Sequence, residues 1–144
     1  MEFFAKSFEQ LTTNELYEIL KSRMQIFLLE QNIVCLDLDD VDYKAKHYFL
    51  IEEGKILAYL RAFYLDEDKI KIGRVLSMTH NQGHGTVLMN NVIDCIKTEE
   101  ICNTICVSAQ IGAVKFYEKF GFECVSDKFL EEGVPHINMI LNLK

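Results

Sequence analysis

A chain of 144 residues that is 49% hydrophobic and 26% charged can fold as one domain whose core needs neither disulfides nor a metal. Its formal charge of -7 excludes nucleic acid as the main partner, because neutralising phosphates takes clustered Lys and Arg. Five cysteines with no CxxC spacing, no signal sequence and no apolar run of membrane-spanning length predict a cytoplasmic protein with free thiols, off the membrane.

Residues 1–8 read as a short first strand. Thr12 and Glu15 form an S/T-x-x-E capping box, and Leu16, Ile19, Leu20, Arg23, Met24 and Phe27 follow at helical spacing, so a helix should end near Leu29. Residues 31–46 make a long connection rich in acid: Asp37, Asp39, Asp40 and Asp42. Loops of that length inside a compact domain are usually functional or mobile. Residues 47–52 and 56–64 read as a hairpin around Glu53-Gly54-Lys55, and a second turn at 65–69 leads into an interior strand over 70–78.

The turn Thr79-His80-Asn81-Gln82-Gly83-His84-Gly85-Thr86 comes next, and Val87-Leu88-Met89 opens a helical pattern. A strand, a glycine turn and a helix start in that order gather outward-facing backbone N–H groups at the positive end of a helix dipole, which suits a phosphate. Gly83 and Gly85 let the backbone approach with no Cβ in the way, and the donors would be the N–H groups of Gln82, Gly83, His84, Gly85 and Thr86. A plain strand-to-helix turn explains the same glycines. A Rossmann turn fits less well, since Leu88 stands where a third Gly belongs, and a Walker A loop lacks its Gly-Lys-Ser/Thr.

Leu88, Val92, Cys95 and Ile96 line one face of a helix that stops near Thr98, and residues 103–109 form another buried strand. Ala113, Phe116, Tyr117 and Phe120 make one stripe of a further helix, closed by Gly121 at the C′ position. Residues 122–126 and 137–143 complete the sheet, joined by a loop through Glu131-Glu132-Gly133-Val134-Pro135. The outline is one α/β domain over residues 1–144, a single sheet with helices on both faces.

In the order strand, His80-x-x-Gly83-x-Gly85, helix, strand, Ala113-x-x-Phe116-Tyr117-Glu118-Lys119-x-Gly121-Phe122, the chain resembles the GNAT acetyltransferases over nearly its whole length. Leu20-x-x-Arg23-x-x-x-Phe27-x-x-Glu30-Gln31, Gly73-Arg74-Val75 and Glu132-Gly133-Val134-Pro135-His136-Ile137 resemble the ElaA-like branch. The resemblance implies a mixed, mostly antiparallel sheet, acetyl-CoA as donor and a small-molecule amine or lysine-type acceptor; the oligomeric state stays open, a homodimer among the options. The chain departs from the family at His80, where Gln or Arg is usual, in the shorter loop between Val75 and Gly83, and at Gln110, where Asn is common.

Acyl transfer from a thioester to an amine needs a site that orients the donor, a group that polarises the carbonyl, a route for the amine proton and an acid for the thiolate. The glycine turn supplies the first. If the strands ending at Met78 and Ala109 splay, as the resemblance implies, backbone groups near Leu76 and Met78 become free for the donor, with Gln110, Phe116 and Tyr117 beside them. Tyr117 is the candidate acid, its phenol titrating near ~10. An aromatic at stripe spacing also serves as core packing. Glu30 shares a helix face with Arg23 and Phe27 and is the first candidate base; His136, titrating near ~6.5, is the second. A salt bridge for Glu30 and a strand hydrogen bond for His136 are the structural alternatives. His47 reads as structural; His80 and His84 are either phosphate contacts or exposed turn residues.

Arg61 and Arg74 fall almost opposite each other on neighbouring strands, and paired guanidiniums repel unless an anion lies between them. The acidic loop offers Glu30, Asp37, Asp39 and Asp40 as internal partners, which are favoured over a substrate carboxylate. With Arg23 and Phe27 these arginines make up the expected acceptor side. Residues 37–42 are no EF-hand, with Val41 at position five and no Gly at six, so no metal is expected. The pattern predicts an N-acetyltransferase acting on a cationic amine, with a non-catalytic acyl-CoA sensor or interaction module as the alternative.

Overall fold

The computed structural model describes residues 1–100 and 102–143. Eight strands form one sheet: β1 (Glu2–Ser7), β2 (Lys46–Glu52), β3 (Lys55–Asp66), β4 (Lys69–Ser77), β5 (Thr104–Gln110), β6 (Glu123–Cys124), β7 (Phe129–Glu131) and β8 (Val134–Asn142). Their order is β1-β2-β3-β4-β5-β8-β6, with β7 also on β8. All pairings are antiparallel except β4 with β5. Alternation along the strands serves two cores. Tyr48, Leu50, Ala58, Leu60 and Ala62 meet Leu88, Met89, Val92 and Ile96 of α2 (His84–Glu99), with Tyr117 of α3 (Val114–Glu118) in the same cluster. Phe49, Tyr59 and Leu76 point the other way, onto Ile19 of α1 (Thr13–Arg23) and Ile26. Helices therefore cover both faces of a mixed, mostly antiparallel sheet, as expected.

The capping box forms: Thr12 Oγ1 accepts the Glu15 N–H at 3.0 Å and Glu15 Oε1 accepts the Thr12 N–H at 2.9 Å. The helix does not simply fray near Leu29, however. It widens into a π segment, Met24–Glu30, with the Gln31 N–H reaching back to the Ile26 carbonyl at 2.9 Å. Such widening is frequent beside functional sites. A second difference lies at the C-terminal edge, where the expected loop is a hairpin. Glu132 (φ 50°) and Gly133 (φ 75°) take left-handed conformations in a two-residue turn between β7 and β8. Pro135 is tolerated in β8 because β5 ends opposite His136, leaving Pro135 paired on one side only.

The feature that positions the site is a divergence. β4 and β5 pair only from Lys69↔Thr104 to Ile72↔Val107, although both strands continue. On the other edge of β4 the register with β3 slips between Arg61↔Gly73 and Tyr59↔Leu76, leaving Arg74 (φ 51°) in a bulge. A bulge bends its strand and reverses which residues face which side. Ile70 and Ile72 join the α2 side, whereas Leu76 joins the α1 side. Beyond the bulge the two strands form a wedge-shaped gap.

Candidate active site

The splay exists, but its free backbone group differs from the expected ones. The Met78 N–H donates to the Leu57 carbonyl at 2.9 Å, and Leu76 lies opposite Tyr59 in the same ladder. Alternation turns the N–H groups of both toward β3, not toward the gap. Ser77, between them, directs its N–H the opposite way, into the space β5 has left. Nothing in the sequence separates Ser77 from its neighbours, because the choice depends on the bulge.

At the end of β4 the chain turns through Asn81 (φ 62°) and Gly83 (φ 76°) into α2. Gly83 caps the helix with no side-chain oxygen, and its carbonyl accepts the Val87 N–H at 3.1 Å. Among the described residues the first-turn N–H groups of His84, Gly85 and Thr86 have no acceptor, as at any open helix start. Gln82 and His80 stand exposed on the same turn. One contributor was not anticipated: Lys119 places its Nζ 3.5 Å from Thr86 Oγ1 and 5.1 Å from the centroid of the Phe116 ring. Its helical spacing from Phe116 was the sign available. Gly85 packs against that ring, for a Cβ there would meet Phe116 carbons at 3.6 Å. Alanine therefore fits, whereas a branched side chain overhangs the free N–H groups. Gly85→Val is expected to weaken coenzyme A binding at least about tenfold by calorimetry, with Gly85→Ala close to the parent. Unchanged affinity in the valine variant would remove the phosphate from this turn.

Tyr117 is 5% exposed, its ring edge-on to Phe116 and Phe122. Burial pushes its phenol above the usual value, so it stays protonated. Among the described residues, the sealed polar side-chain atoms without a hydrogen bond are the Nε atoms of Arg61 and Arg74. The Tyr117 hydroxyl makes no hydrogen bond among the described residues.

The end of the π segment spans the mouth of the gap. Glu30 Oε1 lies 2.6 Å from His80 Nε2 on the β4 side, while the Gln110 amide at the end of β5 donates to Gln31 Oε1 at 2.9 Å. Glu30 Oε2 carries no hydrogen bond among the described residues. His136 lies directly across the ladder from Gln110, so it belongs to the same end of the sheet. Its Nδ1 donates to the Val134 carbonyl at 2.7 Å, and its Nε2 lies 3.6 Å from Glu131 Oε2. Both residues have the structural partners that their alternatives require: Glu30 contacts the His80 imidazole and His136 is hydrogen-bonded within its hairpin.

The acceptor-side arginines are committed to the protein itself. Arg23, 0% exposed, donates from Nε to Asp37 at 2.8 Å, from Nη1 to Asp42 at 2.7 Å and from Nη2 to the Asp37 carbonyl at 3.1 Å. Arg61 grips both oxygens of Asp39, at 2.8 and 2.6 Å, and reaches Asp42 at 3.0 Å. Arg74 donates to the Asp37 carbonyl at 2.9 Å, and its Nε lies 2.8 Å from Asp37 Oδ1 without the alignment a hydrogen bond needs. The favoured internal pairing holds for Asp37 and Asp39; Asp40 and Glu30 take no part, and Asp42 joins them. Arg23, with no exposed surface, cannot touch a substrate, and Arg61 and Arg74 fasten the acidic loop over β3 and the bulge. Burial alone would raise the Asp42 carboxyl, but Arg23 and Arg61 more than offset it and hold it below the usual range. Phe27, half-buried, packs against the α1-side core to which Leu76 belongs. His47 is structural: burial keeps it neutral, and its ring bridges the Tyr59 hydroxyl (2.6 Å) and the Asp42 carbonyl (2.9 Å).

Comparison with known proteins agrees with this geometry. The sequence profile of the acetyltransferase (GNAT) domain matches residues 37–143. A UPF0039 protein of Schizosaccharomyces pombe is 34% identical, covering 99% of this chain and 98% of its own. The crystal structure of an acyl-CoA N-acyltransferase from Pseudomonas aeruginosa is 30% identical and superposes with a TM-score of 0.89, covering 97% of this chain and 99% of its own. Escherichia coli ElaA, also a crystal structure, has a TM-score of 0.89 at 26% identity over the same shares. A wedge between diverging parallel strands, an open helix start beside it and these likenesses agree, and the chain belongs to the GNAT acetyltransferase family, among the relatives of ElaA.

Proposed function

We propose that residues 1–144 form a single N-acetyltransferase domain that moves an acetyl group from acetyl-CoA directly to a primary amine, in the cytoplasm. The observation that carries this reading is the wedge between β4 and β5, open from Ile72 and Val107 toward the glycine turn. The backbone N–H groups at Gln82 to Thr86, with Lys119, would hold the donor's diphosphate, and Phe116 and Gln110 would flank its thiol arm. Coenzyme A thereby supplies an acetyl group activated as a thioester. The Ser77 N–H would polarise the thioester carbonyl from a fixed position, which costs no reorganisation during the reaction.

The acceptor would enter from the α1 side, past Phe27. As the amine nitrogen bonds to the acetyl carbon, Glu30 takes its proton through the unpaired Oε2 or a water, with His136 Nε2 as the second candidate. As the carbon–sulfur bond breaks, the Tyr117 hydroxyl gives its proton to the sulfur. A phenol raised by burial is a weak acid, but the thiolate forming beside it is desolvated too, and that raises its own basicity.

The burial of Tyr117 favours a second reading, in which the ring only packs and the protein senses acyl-CoA. Incubation with acetyl-CoA and a panel of primary amines separates the two. Thiol release that depends on the amine and yields the amide is expected. Coenzyme A binding without release for any amine would leave the sensor.

A further inference from the structure

Glu30 and Gln31 are held by two side chains that reach them from opposite sides of the wedge. His80, in the turn that leaves β4, sets its Nε2 2.6 Å from Glu30 Oε1, and Gln110, the last residue of β5, donates its amide to Gln31 Oε1 at 2.9 Å. The partners lie 50 and 79 residues apart in the chain, yet the two contacts fall on adjacent residues. Consecutive residues on a helical path do not share a face, so Glu30 and Gln31 can reach two different strands at once. β4 and β5 last pair at Ile72↔Val107. Where the ladder has ended, the two side-chain contacts bridge the strands again.

These links are poorly suited to stabilising the fold. Glu30 and His80 are both exposed, and a contact between exposed side chains adds little to stability. The root of the segment is secured without them. Ile26 is buried in the α1-side core with Phe27 packed against it, and the Gln31 and Ile33 N–H groups reach back to the Ile26 and Phe27 carbonyls at 2.9 and 2.8 Å. What the links add is a direction for the exposed tip. With Oε1 held by His80, the Glu30 carboxylate turns its other oxygen, Oε2, in one set direction at the mouth of the wedge. A proton acceptor already in place reacts faster than one that must find the amine by searching its rotamers.

We infer that His80 and Gln110 are positioning residues: one from each side of the wedge, they hold the Glu30–Gln31 tip across its mouth and so aim the Glu30 carboxylate at the reacting amine. The inference rests on the transferase reading for its consequence, the placing of the base; the holding of the tip is independent of turnover. His80 is thereby assigned to Glu30 and not to a phosphate.

His80→Ala and Gln31→Ala each remove one link, and His80→Gln replaces the imidazole by an amide that can donate to the same oxygen. Exchange of the Ile33 amide in the ligand-free protein, followed by NMR, reads the tip; kcat, the amine KM and coenzyme A affinity read the chemistry. Exchange at least about threefold faster in both alanine variants is expected, at a thermal midpoint near the parent. So is a fall of at least about tenfold in kcat, with the amine KM and coenzyme A affinity within about twofold, because a misplaced base slows the reaction and not binding. His80→Gln should recover most of both effects, which a general loosening of the turn would not allow. Weaker coenzyme A binding by His80→Ala at parental kcat would overturn the inference in favour of a phosphate contact. Parental exchange in both alanine variants would overturn it whatever their activity. Parental kcat in both would overturn it too and leave the transferase reading intact. Faster exchange in both, with no amine acetylated by the parent, would support the holding of the tip and sink the transferase reading.

Discussion

Tyr117→Phe is expected to lower turnover by roughly 10²-fold or more, the usual contribution of a positioned proton donor, while coenzyme A affinity stays within about twofold. The substitution is informative because of how the residue is held. The ring is fixed between Phe116 and Phe122, and Phe keeps that packing. The hydroxyl bonds no group among the described residues, so removing it leaves none of them an unsatisfied partner, and the thermal midpoint should barely move. A fall in activity can then be assigned to the lost proton and not to a loosened core. Burial holds the phenol above its ordinary pKa, so the proton is present across neutral pH and the rate should show no limb from Tyr117 ionisation there. If Tyr117→Phe acetylates amines at the parental rate, the hydroxyl is a packing residue's ornament and another acid must be sought. If neither protein turns over any amine, the sensor reading gains.

How far such a test could be designed from sequence alone depended on the kind of contact. Local signals read well. Thr12 and Glu15 cap their helix, Gly121 (φ 99°) closes α3, and the turn before His84 opens α2, because each is decided within a few residues. The wedge was harder. Gly73 inside an apolar strand was the available hint of a bulge, yet the left-handed residue is its neighbour Arg74, which sequence alone would not select. Without that bulge in hand the parity of β4 is wrong, and the N–H groups of Leu76 and Met78, rather than that of Ser77, are turned toward the gap. The β7–β8 hairpin was hidden by Pro135, a loop signal that a singly paired position accommodates. The arginine network was half legible. Two guanidiniums facing each other call for an anion, but Arg23 reads in the sequence as an acceptor-side residue beside Phe27. Only the fold brings Asp37 and Asp42 to it across 14 and 19 residues.

Arg23 is therefore where substitution should do the most damage to stability. Arg23→Met is expected to destabilise the protein by about 3–5 kcal/mol, because it leaves buried carboxylates with too few partners. For a domain of this size that is a fall of roughly 10–20 °C in the thermal midpoint. Arg23→Lys should restore little, since one ammonium cannot serve Asp42 and both the side chain and carbonyl of Asp37 in the geometry of the guanidinium fork. Adding Asp42→Asn to Arg23→Met should recover part of the loss, as the orphaned charge is then gone. If the double variant is as unstable as the sum of the single ones, the network is mere packing. The pH dependence has a fixed sign. Arg61 holds the Asp39 carboxyl down at about 2, and Asp42 is also depressed, so their contribution is present above about 4, the unfolded value, and is lost as pH falls through the folded one. The stability gap between parent and Arg23→Met should accordingly narrow on acidification, because a protonated Asp42 no longer needs the guanidinium. A gap that widens toward low pH would mean that Arg23 acts by filling space and not by answering charge.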